Sequence, residues 1–373
     1  MTTGDRPIDF TRGVPADESF PLAELAECAA AVVAGPHGVL VQQYGPSPGF
    51  GPLREWLAAQ HGVPVDRVLV GNGSLQLIDL LGWALLARGD TVFVESPTYD
   101  RTLTLLRRHG IGVVGIPMAA DGPDLDTFEQ ALRRQVPKLF YTIPDFQNPS
   151  GATTSLAKRR RLVELAARHG FRILEDAPYR PLRYRGSDVP ALSERDGECV
   201  LHMSSFTKRI LPGVRVGYLV GEAAVMARLA KAAEDTYITP NLLGEATVYE
   251  VCRRGRLEPQ IERLRALYRP RLEAACAAMR RELPGAAWFE PDGGFFLSLT
   301  LGPGVRSEAV RARAAERKLA LSDGRGFFPA PTDGERFVRL AVLRPDARRD
   351  RRGHPAARPS GGRGDQMTPS VAA

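Results

Sequence analysis

Lys208 closes the run Ser204-Ser205-Phe206-Thr207-Lys208, and Arg215 follows seven residues later within Pro212-Gly213-Val214-Arg215-Val216-Gly217. A lysine behind a hydroxyl-rich turn can form a Schiff base with an aldehyde, while neighbouring hydroxyls and a guanidinium hold a phosphate on the same molecule. Pyridoxal 5′-phosphate (PLP) is the phosphorylated aldehyde that suits this pairing. Taken alone, a lysine and an arginine beside a turn are as readily solvated surface groups. Chemistry on such a cofactor also needs an acid facing the pyridine nitrogen, a donor to the ring oxygen, a phosphate cup and a ring clamp.

Each of those parts has a candidate. Gly73-Ser74-Leu75-Gln76 precedes an apolar helical pattern, and a Gly/Ser turn at a helix N-terminus offers backbone N–H groups to a phosphate; a plain N-cap at Ser74 reads equally well. Glu95-Ser96-Pro97-Thr98-Tyr99 ends a strand-like run, which places an aromatic where it can stack on a flat ring or pack in the core. Pro144-Asp145-Phe146-Gln147-Asn148-Pro149-Ser150-Gly151 is a turn whose Asn148 amide can reach a phenolate oxygen. Leu174-Glu175-Asp176-Ala177-Pro178-Tyr179 sets a carboxylate at the end of a buried strand, where it needs a partner. A pyridinium is one such partner, and a helix cap is the bland alternative.

The elements that must hold these groups are legible too. Between Tyr44 and Gly221, short apolar runs alternate with helical patterns, which predicts an α/β unit with a largely parallel sheet. Val68–Val70, Thr91–Val94, Ile111–Ile116, Lys138–Ile143, Phe171–Leu174, Val200–Met203 and Val214–Val220 read as its seven strands. Arg159–His169 reads as a helix stopped by Gly170. Residues 222–283 read as successive helices, and 293–299 and 337–342 as strands of a smaller α/β unit. The expected division is an N-terminal segment over 1–43 packing with the small domain, a large domain over 44–235 and a small domain over 236–343. A basic tail of disorder-like composition over 344–373 completes it.

Composition narrows the function classes. Of 373 residues, 43% are hydrophobic and 25% charged, as in ordinary globular enzymes. The net charge of +7 is concentrated in the tail, where seven arginines face three aspartates without interleaved aromatics, so a nucleic-acid partner is not indicated. Cys28, Cys199, Cys252 and Cys276 are far apart, and neither they nor the six histidines have metal-ligand spacing. His37, His61 and His109 read as surface residues at loop or helix ends. No apolar run approaches the roughly 20 residues of a membrane span, and the N-terminus lacks an apolar signal core, so a cytoplasmic location is expected.

The ordered set Asn148-Pro149-Ser150-Gly151, Asp176-Ala177-Pro178-Tyr179, Ser205-Phe206-Thr207-Lys208 and Arg215 resembles the class I/II aminotransferases, the fold-type I PLP-dependent enzymes. The likeness spans about Ile8 to Leu343 and is greatest to the 2-aminoadipate and kynurenine aminotransferase branch. It implies an enzyme moving an amino group from an L-α-amino acid to a 2-oxo acid, through a Lys208 aldimine and a pyridoxamine phosphate intermediate. It implies Asp176 on the pyridine nitrogen, Asn148 and Tyr179 on the ring oxygen, and Tyr99 stacked on the ring. Gly73, Ser74, the Leu75 amide, Ser205 and Arg215 would form the phosphate cup. Arg339 would bind the substrate α-carboxylate beside Asn148, and Tyr44 would reach the site from a partner subunit, hence a homodimer. A decarboxylase or β-lyase reaction on the same fold, or a catalytically impaired PLP-binding protein, is the alternative. The sequence departs from the resemblance after Arg339, where the final helices of the small domain are replaced by the basic tail.

Overall fold

The computed structural model describes residues 8–194 and 198–343, and the basic tail lies outside the described residues. Strand β1 is Ile8–Asp9, and helices α1 (Leu22–Ala34) and α2 (Gly51–His61) lead into the main sheet. That sheet contains β2 (Val68–Gly71), β3 (Thr91–Ser96), β4 (Gly112–Ala119), β5 (Gly122–Pro123), β6 (Leu139–Thr142), β7 (Arg172–Asp176), β8 (Val200–Ser205) and β9 (Gly217–Val220). Its order is β2-β9-β8-β7-β6-β3-β4-β5. The pairs from β4 through β3, β6 and β7 to β8 are parallel, whereas β9 runs antiparallel to both of its neighbours.

The seven expected strands are therefore present in a mostly parallel sheet, and the short β5 adds an eighth where β4 folds back on itself. Several boundaries move by three residues: the strand expected to end at Ile116 runs to Ala119, the helix expected from Arg159 starts at Leu156, and the strand expected from 293 starts at Phe296. The strand expected from Val214 begins at Gly217, because Pro212–Val214 forms a 3-10 turn and Arg215 adopts the left-handed region at φ 52°.

Helices cover both faces, so successive strand residues are buried in different cores. Val92 and Val94 pack in a core with α3 (Ser74–Leu85) and α4 (Asp100–Arg108), while Phe93 between them packs with Phe128 of α5 (Leu125–Arg134) and Leu162 of α6 (Leu156–His169). Helix α6 starts where the Ser155 hydroxyl accepts the Lys158 N–H and stops at Gly170 in the left-handed conformation, φ 74°. A third core joins α1 and α2 to α8 (Leu242–Arg253) through Cys28, Leu53, Leu57 and Val248.

After β9 come α7 (Ala223–Tyr237), α8 and the long α9 (Leu257–Glu282). A second sheet follows, of β10 (Ala287–Trp288), β11 (Phe296–Thr300) and β13 (Phe337–Ala341), antiparallel in the order β10-β11-β13. Helix α10 (Ser307–Glu316) leads to β12 (Leu319–Ala320), which pairs in parallel with β1 and so ties the start of the described chain to this second unit. Among the described residues no helix is long and apolar enough to cross a membrane.

Candidate active site

Strands β2, β3, β6, β7 and β8 point the same way, so their carboxyl ends meet along one sheet edge, the usual ligand-binding edge of an open α/β sheet. Gly73 and Ser74, Tyr99, Asn148, Asp176 and Lys208 follow those ends in turn. The reversed β9 begins at that same edge, which is how Arg215 joins them. The second sheet contributes Phe296 and Arg339, and the segment after β1 contributes Thr11 to Val14. Together these enclose a cavity of about 360 Å³.

Lys208 is partly buried, and its ammonium donates to the Gly13 carbonyl at 2.9 Å. Burial, assisted by the positive charges of Arg339 and Arg215, pushes its pKa down to about 8. Asp176 is buried at the end of β7; its Oδ2 accepts a 2.7 Å bond from the Tyr141 hydroxyl, while Oδ1 is buried without a partner. Desolvation raises its pKa to about 6 against the opposing Tyr141 bond and the His202 charge.

Arg339 is 7% exposed and donates to Asn148 Oδ1 at 3.0 Å, to the Ser322 hydroxyl at 3.2 Å and to the Thr11 carbonyl. Its guanidinium lies 4.9 Å from the Phe296 ring and 4.5 Å from Phe327, and its Nε is buried without a partner. Tyr179 is buried, edge-to-face with Phe295 and Phe296, and its hydroxyl meets the Asn148 side chain. Burial lifts the Tyr99 pKa to about 12 and that of Tyr179 further, so both phenols stay protonated.

Ser74, Leu75, Ser205 and Arg215 also line the cavity. Ser205 Oγ accepts the Thr207 N–H at 3.1 Å, which fixes the turn before Lys208. Gly73 does not line the cavity but shapes it: its φ is 96°, and a Cβ there would stand 2.6 Å from Arg215 Nη2. Tyr44 is not brought to the site of its own chain. It is 74% exposed and lies with Gln43 and Pro240 to Leu242 on a separate surface.

The sequence reading missed the groups that hold this turn cluster together. Buried Glu95 accepts from the Thr142 hydroxyl at 2.5 Å, the Ile143 N–H at 3.1 Å and Gln147 Nε2 at 2.9 Å, and Gln147 also donates to the Pro97 carbonyl. These bonds lock the Asn148 turn to the Tyr99 turn, and burial raises the Glu95 pKa to about 7. A glutamate ending an apolar strand was the available signal. Tyr141, which orients Asp176, gave none, because an aromatic in a strand reads as core. Two of the three histidines read as surface are not: His109 bonds Asp79 at 2.8 Å, and the His61 ring lies 5.0 Å from that of His202.

The arrangement fits PLP. The unpartnered Asp176 Oδ1 is the acceptor that a protonated pyridine nitrogen requires, and the donors across the cavity suit a phosphate.

The family model for aspartate amino-transferase matches residues 4–351. The chain is 34% identical to a 2-aminoadipate transaminase from Thermus thermophilus over 339 residues, covering 90% of this chain and 85% of that one. The solved structure of an α-aminoadipate aminotransferase from Thermus thermophilus, complexed with N-(5′-phosphopyridoxyl)-L-leucine, is similar with a TM-score of 0.86 at 32% identity, covering 93% of this chain and 91% of that one. A Pyrococcus horikoshii kynurenine aminotransferase in complex with PMP gives a TM-score of 0.88 at 30% identity, covering 92% of this chain and 88% of that one.

Proposed function

The chain belongs to the aspartate aminotransferase family and is a PLP-dependent aminotransferase, and from that premise we propose how its own residues carry the transfer. When bound, the cofactor supplies an electron sink that makes the substrate α-proton removable. Lys208 Nζ would hold it and would accept that proton; a pKa near 8 lets the amine act as a base close to neutral pH. Asp176 would keep the pyridine nitrogen protonated, Asn148 and Tyr179 would bind the ring oxygen, and Tyr99 would cover the ring. Ser74, the Leu75 amide, Ser205 and Arg215 would hold the phosphate, with Gly73 leaving room for Arg215. Arg339 binds the substrate α-carboxylate in a planar, bidentate pairing and so favours reactions that retain that group.

The observation that carries this reading is the buried, unpartnered Asp176 Oδ1 in the cavity that also contains Lys208 and Arg339. The substrates are an L-α-amino acid and a 2-oxo acid. The two-unit division at residues 44–235 and 236–343, with the segment 1–43 beside them, puts the cofactor groups on the first unit and the substrate arginine on the second. The exposed position of Tyr44 supports a homodimer in which it enters the partner's site. The buried thiols Cys28, Cys252 and Cys276 suit a reducing, cytoplasmic setting.

The test is a half-reaction. Single amino acids, 2-aminoadipate and kynurenine among them, are added to the PLP-loaded protein without an oxo acid. We expect the visible cofactor band to disappear with one equivalent of 2-oxo acid released per site. A band that persists with every amino acid, or carbon dioxide released in place of the oxo acid, would exclude transamination by these residues.

A further inference from the structure

A second cleft, separate from the catalytic cavity, measures about 950 Å³ and lies between α2, the loop after β7 and the first half of α9. Side chains on adjacent strand positions face opposite ways. Asp176 faces the catalytic cavity, whereas Glu175 bonds His202 at 2.9 Å, and His202 lines the floor of this second cleft. The two spaces therefore lie on opposite faces of the sheet.

Arginine dominates the lining, with seven arginines against four carboxylates. Most of these arginines are neutralised: Arg180 pairs with Asp188 and Glu194, Arg265 with Glu262, Arg185 with Glu290, Arg67 with Glu198 and Arg183 with Asp145. Arg209 and Arg269 make no ion pair among the described residues; unpaired Glu258 offsets one of them. The Glu175 charge is taken up by His202 and the Leu192 and Ser193 amides.

Arg209 is the anomaly. Its Nη2 donates to the Ser204 hydroxyl at 2.7 Å and the Tyr218 hydroxyl at 3.3 Å, both neutral acceptors, and its Nε is buried without a partner. The guanidinium lies 5.6 Å from the Phe206 ring and 5.9 Å from that of Tyr218, which fixes it in place. A guanidinium carries five N–H donors and cannot shed its charge, so a partly buried one without a carboxylate is a ready anion ligand. The surroundings agree: burial, then the charges of His202 and Arg209, hold the His61 pKa down to about 3.

We propose that this cleft binds a small phosphate-class dianion, with Arg209 as its inner ligand and Arg269 at its rim. Phosphate accepts charge-assisted bonds from a guanidinium, and Arg209 and Arg269 are the two lining arginines without a carboxylate partner among the described residues. The site is linked to the catalytic machinery through covalent and hydrogen bonds. Arg209 directly follows Lys208, and Ser204, which it contacts, donates to the carbonyl of Ala177, the residue after Asp176.

The experiment is calorimetric titration of the PLP-loaded protein with inorganic phosphate and pyrophosphate at constant ionic strength. The cofactor's own phosphate then fills the cup at Ser74, Ser205 and Arg215, and its visible band is monitored throughout. We expect one saturable site per chain, at least tenfold weaker in Arg209→Gln, weakened several-fold in Arg269→Gln, and unchanged in Arg12→Gln at the catalytic mouth. Arg269 is exposed, so its variant tests the site even if Arg209→Gln does not fold. No saturable binding, equal affinity in both cleft variants, or binding that strips the cofactor band would each overturn the proposal.

Discussion

Lys208 and Asp176 line one cavity, and desolvation moves both toward their uncharged forms, to about 8 and about 6. A lysine whose folded pKa lies below its unfolded value near 10.4 binds fewer protons when folded. Its contribution to stability therefore rises between pH 8 and 10.4 and is lost as pH falls through 8. The same shift sets how fast the protein takes up its cofactor, because only the neutral amine can condense with an aldehyde. The rate at which the visible band appears when apoprotein is mixed with PLP should increase about tenfold per pH unit below 8 and level off above it. A rate that kept rising tenfold per pH unit from pH 8 to pH 10 would show that burial does not hold the Lys208 pKa down.

At the scale of the element, the Pro144–Gly151 turn shows how far a site depends on groups that never touch substrate. Arg159, on the inward face of α6, is fully buried and donates to both Asp145 oxygens, at 2.7 and 3.3 Å, and to the Pro144 and Thr154 carbonyls. The helix thereby grips the turn that presents Asn148, while Glu95 and Gln147 hold it from the other side. Replacing Arg159 by methionine preserves the apolar stem but leaves Asp145, among the described residues, with Arg183 as its ion-pair partner, at 3.5 Å. We expect Arg159→Met to cost about 3–5 kcal/mol in urea denaturation. The double variant with Asp145→Asn should recover part of that loss, because the stranded charge is then gone. Full stability in the single variant would mean that the pair contributes nothing to the turn.

The assembly question belongs to the whole molecule. Val39, Leu40 and Tyr44 are 86%, 44% and 74% exposed and lie close together in the chain, more apolar surface than a solvent-facing loop needs. A homodimer that buries them would deliver Tyr44 to the neighbouring site. Sedimentation equilibrium should then give twice the chain mass. Mixing an inactive Lys208→Ala protein with a weakened Tyr44→Ala protein should restore activity, since each hybrid has one site with both residues intact. Random exchange predicts recovery of about a quarter of the wild-type sites. A monomeric mass, or no recovery after verified exchange, would place Tyr44 outside the reaction.

The sequence by itself determined the local chemistry and the alternation of elements. Strand and helix periodicities, the Gly170 helix stop and the turn residues around Asn148 and Lys208 are properties of short segments, and hydrophobic burial and backbone sterics act on them directly. The family resemblance added the roles those turns were given. Only the tertiary structure decided which distant groups meet. Tyr141 orients Asp176 across two paired strands, Gly13 and Thr11 offer carbonyls to Lys208 and Arg339 from the far end of the chain, and Gly73 makes room for Arg215. No periodicity encodes such partners, since their separation in sequence is unrelated to their separation in space. The same reason hides the arginine-lined cleft: Arg209 reads as one more cation beside a turn, until the fold withholds a carboxylate from it.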